Sequence, residues 1–494
     1  MASAVMSLVS MPTFFQILPG SSAARWGFIS LIILLCGIGN LPWHLDNYDQ
    51  AKQAYVAYEI EHGGSPWFQH TPRGGTATKP PMAGWISLPV YWTTGSWDLA
   101  WRLPGFLCTL ILLGLLFREG ERIFPGSGGT LAACAFGLNL LTPRIATLVR
   151  TDMMLALFIA VCGWLILKKI REGTAWTLPD KWLFFGMMTL ALFTKGPILY
   201  AFLVPGMLAF AWLGPKGRKN LVWSGWWTWL IPLGFFVAWG VTGLMTNESF
   251  YEEIVVREFF SRFDQSLRSD ETQQPFWFYF PHLIHKFLPW SLLALALPIL
   301  SKNVRRVFRE KPEILWLACW ALGGLLLMTI VPSKRVDRIF PVIPPLCLLL
   351  VGMISACRCG SRVLGWCGAA MIAGALFSGG YFFGIVWLGY RDDNAALLKF
   401  GREAAALTAG IGQGRLAVVE GRDEGLLMYA GVRETIHPNR AIRFWQDEHI
   451  DALIIPERRL AEHNIRARIA LPEPALETQK RPSGERYLLF LRKE

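Results

Sequence analysis

Long apolar stretches alternate with short charged segments along most of the chain. They recur at roughly 27–43, 99–117, 128–142, 153–167, 182–194, 197–213, 226–246, 282–300, 313–331, 339–356 and 363–389. A membrane-crossing helix needs about 20 apolar residues, so the pattern predicts an α-helical polytopic membrane protein with about 11–13 spans, several of them short. The stretch Pro81–Thr94 is apolar but too short for a crossing. It is expected to be re-entrant or interfacial, because a true span there would invert every later segment. From Arg391 the pattern changes to strand-like runs, Leu416–Glu420, Asp451–Glu457 and Arg486–Arg492, separated by a helical stretch. Alternation of this kind predicts a small α/β unit. The expected organisation is therefore an N-terminal segment, 1–26, a transmembrane domain, 27–390, with long loops at 44–98 and 247–281, and a soluble domain, 391–494.

Composition supports this division. Of 494 residues, 53% are hydrophobic and only 17% are charged, with 32 Phe and 23 Trp. A soluble chain carries about a quarter charged residues. Disorder, a solenoid and a coiled coil are excluded as the main architecture. The formal charge is +12, and nearly all of the excess precedes Arg391. A basic surplus within an apolar domain points to cytoplasmic loops, anionic lipid or a phosphate-bearing ligand rather than nucleic acid. The cysteines lie in apolar runs or in the short loop Cys357–Arg362, with no disulfide framework.

Alternate loops carry clustered cations: Arg118 to Arg122, Lys168 to Arg171, Lys216 to Lys219, Lys302 to Lys311 and Arg358 to Arg362. The positive-inside rule assigns these loops to the cytoplasm. The long loops and the C-terminal domain then face outward.

Ionisable residues at membrane depth are costly, so each is a functional candidate. They cluster at the outward ends of spans. Asp49 precedes an amphipathic stretch, where it could cap a helix or act as a base held at the surface. Lys79 is pinned by Pro80-Pro81, as a snorkelling anchor or a phosphate contact. Arg150 and Asp152 lie between two apolar stretches, as a structural pair or as site residues. Lys195 sits in the tight turn Thr194–Pro197. Lys334, Arg335 and Arg338 place three cations on the expected outer side, a breach of the positive-inside preference that calls for a counter-anion. Together these suit a ligand with a lipid tail in the bilayer and a phosphate at its surface.

The chain contains Asp49-Gln50 with Glu59-Ile60, Lys79-Pro80-Pro81, Asp152, Thr194–Pro197, Arg262-Phe263, Gln274–Tyr279, Leu288-Pro289-Trp290, and Ser333-Lys334 with Pro341 and Pro344-Pro345. In this order and spacing the motifs resemble those of the bacterial branch of the protein O-mannosyltransferase superfamily, and most closely the aminoarabinose lipid A transferases. The resemblance implies a GT-C-type membrane glycosyltransferase that takes a sugar from a polyprenyl (undecaprenyl) phosphate. The acceptor would be a lipid A-like glycolipid, a glycan or a protein, on the periplasmic face of a bacterial inner membrane. It implies Asp49 and Asp152 as catalytic residues, and Lys79, Lys195, Arg262, Lys334 and Arg335 as donor-phosphate ligands. Two positions depart from the family. Gln50 replaces a Glu, and Thr78 stands where the lipid A enzymes carry a Glu linked to a metal site. His282 and His285 lie nearby without that carboxylate, so no cofactor is expected to be required and a divalent metal is disfavoured. The alternative from another class is a flippase for lipid-linked sugars, although no internal duplication of the kind common in transporters is visible.

Overall fold

The computed structural model describes residues 12–41, 43, 45, 48–262, 274–357, 361–388, 392–412, 414–478 and 485–492. Among them, Trp97–Ile123, Asp152–Glu172, Lys219–Thr246, Pro312–Ile330, Val336–Ala356 and Ser361–Gly384 are long and apolar enough to cross a membrane. Two further apolar helix pairs are bent, Thr13–Gly20 with Ser22–Ile38 by 72° and Phe276–Lys286 with Trp290–Ile299 by 107°. The breaks fall at Ser21, just after Pro19-Gly20, and in Phe287–Pro289; proline lacks the N–H that would continue a helical ladder. Gly128–Gly137 and Ile198–Leu213 are shorter apolar helices. Each apolar stretch read from the sequence falls on a helix, Leu178–Lys195 included.

The residues Met1–Gly39, Arg102–Thr246 and Val255–Gly384 form one compact unit. Its central element is Asp152–Glu172, buried on nearly every face. The helix is matched to its own dipole, with Asp152 in the first turn, Lys169 and Arg171 in the last, and Gly173 closing it in the left-handed conformation. Small residues let its neighbours approach. A Cβ on Gly163 would lie 2.3 Å from the Trp320 ring, and Trp316 Nε1 donates to the Gly163 carbonyl at 3.0 Å. Ile198–Leu213 and Pro312–Ile330 meet backbone to backbone, and a Cβ on Gly323 would stand 2.6 Å from the Gly206 nitrogen. Such approaches take the place of hydrophobic burial in membrane helix packing.

Three of the five loops expected on one side of the membrane gather at one end of this unit. Buried Glu119 pairs with Arg122 at 2.6 Å and with Arg171 at 2.8 Å. Arg218 donates to the carbonyls of Ile170 and Arg171. Three alternate basic loops are thus tied together, as the orientation argument requires.

The second unit comprises Asn40–Trp101, Asn247–Ile254 and Ile385–Glu494. It contains the helices Tyr48–Glu61 and Met82–Thr94. Met82–Thr94 has 13 residues. At 1.5 Å per residue it is about 20 Å long, short of the ~30 Å hydrocarbon core. The α/β portion is a five-stranded sheet in the order β2-β1-β3-β5-β4. The strands are β1 Leu416–Val419, β2 Thr435–Ile436, β3 Ala452–Pro456, β4 Leu476–Glu477 and β5 Tyr487–Leu491. β1 pairs in parallel with β2 and β3, and β5 runs antiparallel to β3 and β4. Its core joins Val419, Leu453, Ile455 and Phe490 to Trp445 and Ile442 of the helix Pro438–Gln446.

Replacing Gly323 by Leu forces the two closely packed helices apart. The expected loss is about 1–3 kcal/mol of stability. A lowered melting temperature of the detergent-purified protein reads it, and an unchanged one would contradict the close approach.

Candidate functional site

Two helix ends meet in the first unit. Asp152 opens Asp152–Glu172, and Lys195 closes Leu178–Lys195. A carboxylate suits the positive helix start and an ammonium suits the negative helix end. The two side chains form an ion pair in which Lys195 is 9% exposed and Asp152 4%. Gly196, at φ 71°, turns the chain into Pro197 and the next helix, a conformation that favours glycine.

A second carboxylate organises the segment after Ile330. Asp337 lies in the first turn of Val336–Val342. Arg150 donates to its Oδ2 at 2.6 Å and Arg335 to its Oδ1 at 3.3 Å. Lys195 adds to the positive field at Asp337. Lys334 is buried, and its Nζ donates to the Gln274 carbonyl at 3.0 Å. Burial pushes its pKa below the ordinary lysine value. Arg338 donates to both the carbonyl and the hydroxyl of Ser333 at 2.7 Å. Five cations, Arg150, Lys195, Lys334, Arg335 and Arg338, therefore share this region with two carboxylates, Asp152 and Asp337. Held cations of this kind can bind a phosphate without reorganising.

The expected residues distribute as follows. Asp152 and Lys195 are in direct contact. Lys334 and Arg335 share one loop, and Arg335 is linked through Asp337 to Arg150. The alternative pairing of Arg150 with Asp152 does not form. Residues two apart at a helix start point in different directions, and each finds a partner on another element. The Arg262 side chain lies outside the described residues. Asp49 and Lys79 belong to the second unit, Asp49 in the first turn of Tyr48–Glu61 and Lys79 half-buried just before Pro80-Pro81.

The sequence reading passed over two features. Asp337 was visible only as part of the Lys334–Pro341 motif, although the Arg335-x-Asp337 spacing was a signal. The other feature is His70, in the second unit. Buried Glu59 accepts from the His70 backbone N–H at 2.6 Å and faces His70 Nδ1 at 2.7 Å. Thr76 hydrogen-bonds Ser249 through its hydroxyl at 2.7 Å and its N–H at 3.2 Å. These bonds hold the turn that leads to Lys79. The hydrogen bond to Glu59 raises the His70 pKa, with burial opposing. Among the described residues no three His, Cys, Asp or Glu side chains are grouped to hold a metal ion.

Residues 78–243 match the family model described as dolichyl-phosphate-mannose-protein mannosyltransferase. The chain is 26% identical over 353 residues to a protein of Erwinia tasmaniensis named undecaprenyl phosphate-alpha-4-amino-4-deoxy-L-arabinose arabinosyl transferase, covering 68% of this chain and 59% of that one. A protein of the same name from Yersinia enterocolitica is 26% identical over 362 residues, covering 69% and 61%. The matches thus span about three fifths of these relatives. The crystal structure of ArnT from Cupriavidus metallidurans bound to undecaprenyl phosphate superposes with a TM-score of 0.68 at 15% identity, over 95% of this chain and 98% of that one. The chain has the GT-C fold. An oligosaccharyltransferase of Archaeoglobus fulgidus is more distant, with a TM-score of 0.51 at 10% identity, over 88% and 70%. The likeness read from the motifs to the aminoarabinose lipid A transferases is borne out.

Asp152→Asn leaves the nearly enclosed Lys195 ammonium without its carboxylate, and breaking a buried pair costs about 3–5 kcal/mol. Thermal unfolding in detergent should show the loss, with partial recovery when Lys195→Met is added. An unaltered melting curve for the single variant would refute the pairing. His70 gives a pH signature. Its folded-state pKa is raised, so its contribution is full below the unfolded value of about 6.5 and fades as pH rises through the folded value. The stability difference between wild type and His70→Gln should therefore shrink on going from pH 6 toward pH 9. A difference that is constant with pH would contradict it.

Proposed function

We propose that this protein is a membrane glycosyltransferase that moves a sugar from an undecaprenyl phosphate-linked donor to a lipid A-like glycolipid, a glycan or a protein. The reaction takes place on the periplasmic face of a bacterial inner membrane. The observation that carries this reading is the cluster of Arg150, Lys195 and Arg335, braced by Asp152 and Asp337, with Lys334 held by the Gln274 carbonyl. A cationic cluster at the end opposite the basic loops suits a lipid phosphate at the outer membrane surface. The GT-C fold and the activity for which the relatives are named support the same reading.

In this scheme the bond between the anomeric carbon and the phosphate oxygen breaks as an acceptor oxygen attacks from the opposite face, with inversion. Lys195, Lys334 and Arg335, with Arg262 and Lys79 from the motif resemblance, stabilise the charge growing on the departing phosphate. Asp152 positions Lys195. Asp49 takes the proton of a hydroxyl acceptor. A phosphate acceptor needs no base, and Asp49 then orients groups instead. No nucleotide is consumed, because the sugar arrives activated. We also propose that no metal is required, since Thr78 offers no carboxylate beside Lys79.

The test is transfer of labelled sugar from synthetic undecaprenyl phosphate sugars in membranes carrying the protein. Wild type should form a labelled product. Lys195→Met should lower the rate by about 100-fold or more. Chelation of divalent ions should leave the rate unchanged. No product with any donor, together with donor movement across vesicles, would replace the transferase by a flippase.

A further inference from the structure

The C-terminal α/β domain has no chemistry of its own in this account, yet its contacts within the second unit concentrate on one segment. Glu424 lies just before the short helix Gly425–Tyr429, at the end of the loop that follows β1. Its side chain is 2% exposed and pairs with Arg73 at 3.2 Å. Lys52, on the helix Tyr48–Glu61, also acts on it electrostatically. Neither carboxylate oxygen has a hydrogen-bond partner of normal geometry. Arg73 also donates to the Gly421 carbonyl at 3.0 Å. A buried carboxylate is costly unless charge compensates it, and here the compensation comes from outside the α/β domain.

Four hydrogen bonds and one close backbone approach surround this pair. The Thr435 N–H donates to the Pro72 carbonyl at 3.3 Å and its hydroxyl to the same oxygen at 3.2 Å. The Tyr55 hydroxyl donates to the Arg433 carbonyl at 2.7 Å. The Leu45 N–H donates to the Tyr429 hydroxyl at 2.6 Å. A Cβ on Gly425 would stand 2.9 Å from Leu45 Cβ, so the two backbones pack tightly there. Tyr55 and Lys52 ride on the helix that begins with Asp49. Pro72 and Arg73 lie in the turn that leads to Lys79.

We infer that Glu424 is a positioning residue, through which the C-terminal domain latches both the Asp49 helix and the Lys79 turn in their working conformation. The functional consequence rests on the transferase reading above; the latch itself does not. Burial and charge are conditions for it to hold. Losing the carboxylate leaves Arg73 and Lys52 without their shared anion and releases the turn before the helix. The bonds of Glu59 to His70 and of Thr76 to Ser249 hold the same turn from its other side, so release is partial rather than complete.

The test uses full-length protein in nanodiscs, with two readouts. In hydrogen–deuterium exchange, Glu424→Gln should speed exchange across 69–79 and 50–58 by about fivefold or more, with the core of the sheet unchanged. Arg73→Gln removes the same pair from its solvent side and should give the same pattern, even if Glu424→Gln folds poorly. The double variant should exchange no faster than either single one, because both remove one interaction. Glu424→Asp should recover part of the protection. In the transfer assay, KM for the undecaprenyl phosphate sugar should rise about tenfold, with a smaller change in kcat. Wild-type exchange rates in both folded single variants would overturn the latch, whatever the transfer assay gives. Faster exchange in the variants, together with no transfer by the wild type, would keep the latch and remove the transferase reading.

Discussion

Cations cannot be gathered beside a low-dielectric membrane interior without something to hold them there. In the first unit that task falls to two carboxylates. Asp152 holds Lys195, and Asp337 holds Arg150 and Arg335. Each acid is placed by a helix start, where the backbone already favours negative charge. The acids neutralise part of the positive charge, and the cations remain in excess. In the proposed function that surplus is what attracts the donor phosphate, and its fixed geometry keeps the cost of reorganisation low.

Helix packing supports this arrangement from below. Asp152–Glu172 is buried almost throughout, and its neighbours come close where glycine permits. With the helix fixed on all sides, the position of Asp152 is fixed as well. At its other end Arg171 shares Glu119 with Arg122, so the same rod ties the basic loops at one face to the charge cluster at the other. In the second unit the turn before Lys79 is braced from two directions, by Glu59 and Ser249 on one side and by the α/β domain on the other.

Much of this was legible in the residues. Apolar stretches of helical length announced the membrane helices, and clustered Lys and Arg announced which loops share a face. Pro81–Thr94 was legible as a short helix, because length is a sequence property. The three external cations around Lys334 were visible as a breach of a charge rule. Partners were harder to read. Arg150 and Asp152 are neighbours in sequence and make their ion pairs with other elements, which helix geometry alone does not specify. His70 carried no signal of its own, because its partner Glu59 lies eleven positions away across a turn. Glu424 was invisible for the same reason at greater range, since its partner Arg73 lies far back in the chain.

The central claim is that the braced cations form a lipid-phosphate site. The most direct measurement is an electron cryomicroscopy structure of the full-length protein in nanodiscs with undecaprenyl phosphate. The account predicts phosphate density within about 3.5 Å of at least two of Arg150, Lys195, Lys334 and Arg335. It also predicts that Asp152 and Asp337 keep their present partners. A phosphate bound away from all four of these cations would contradict it.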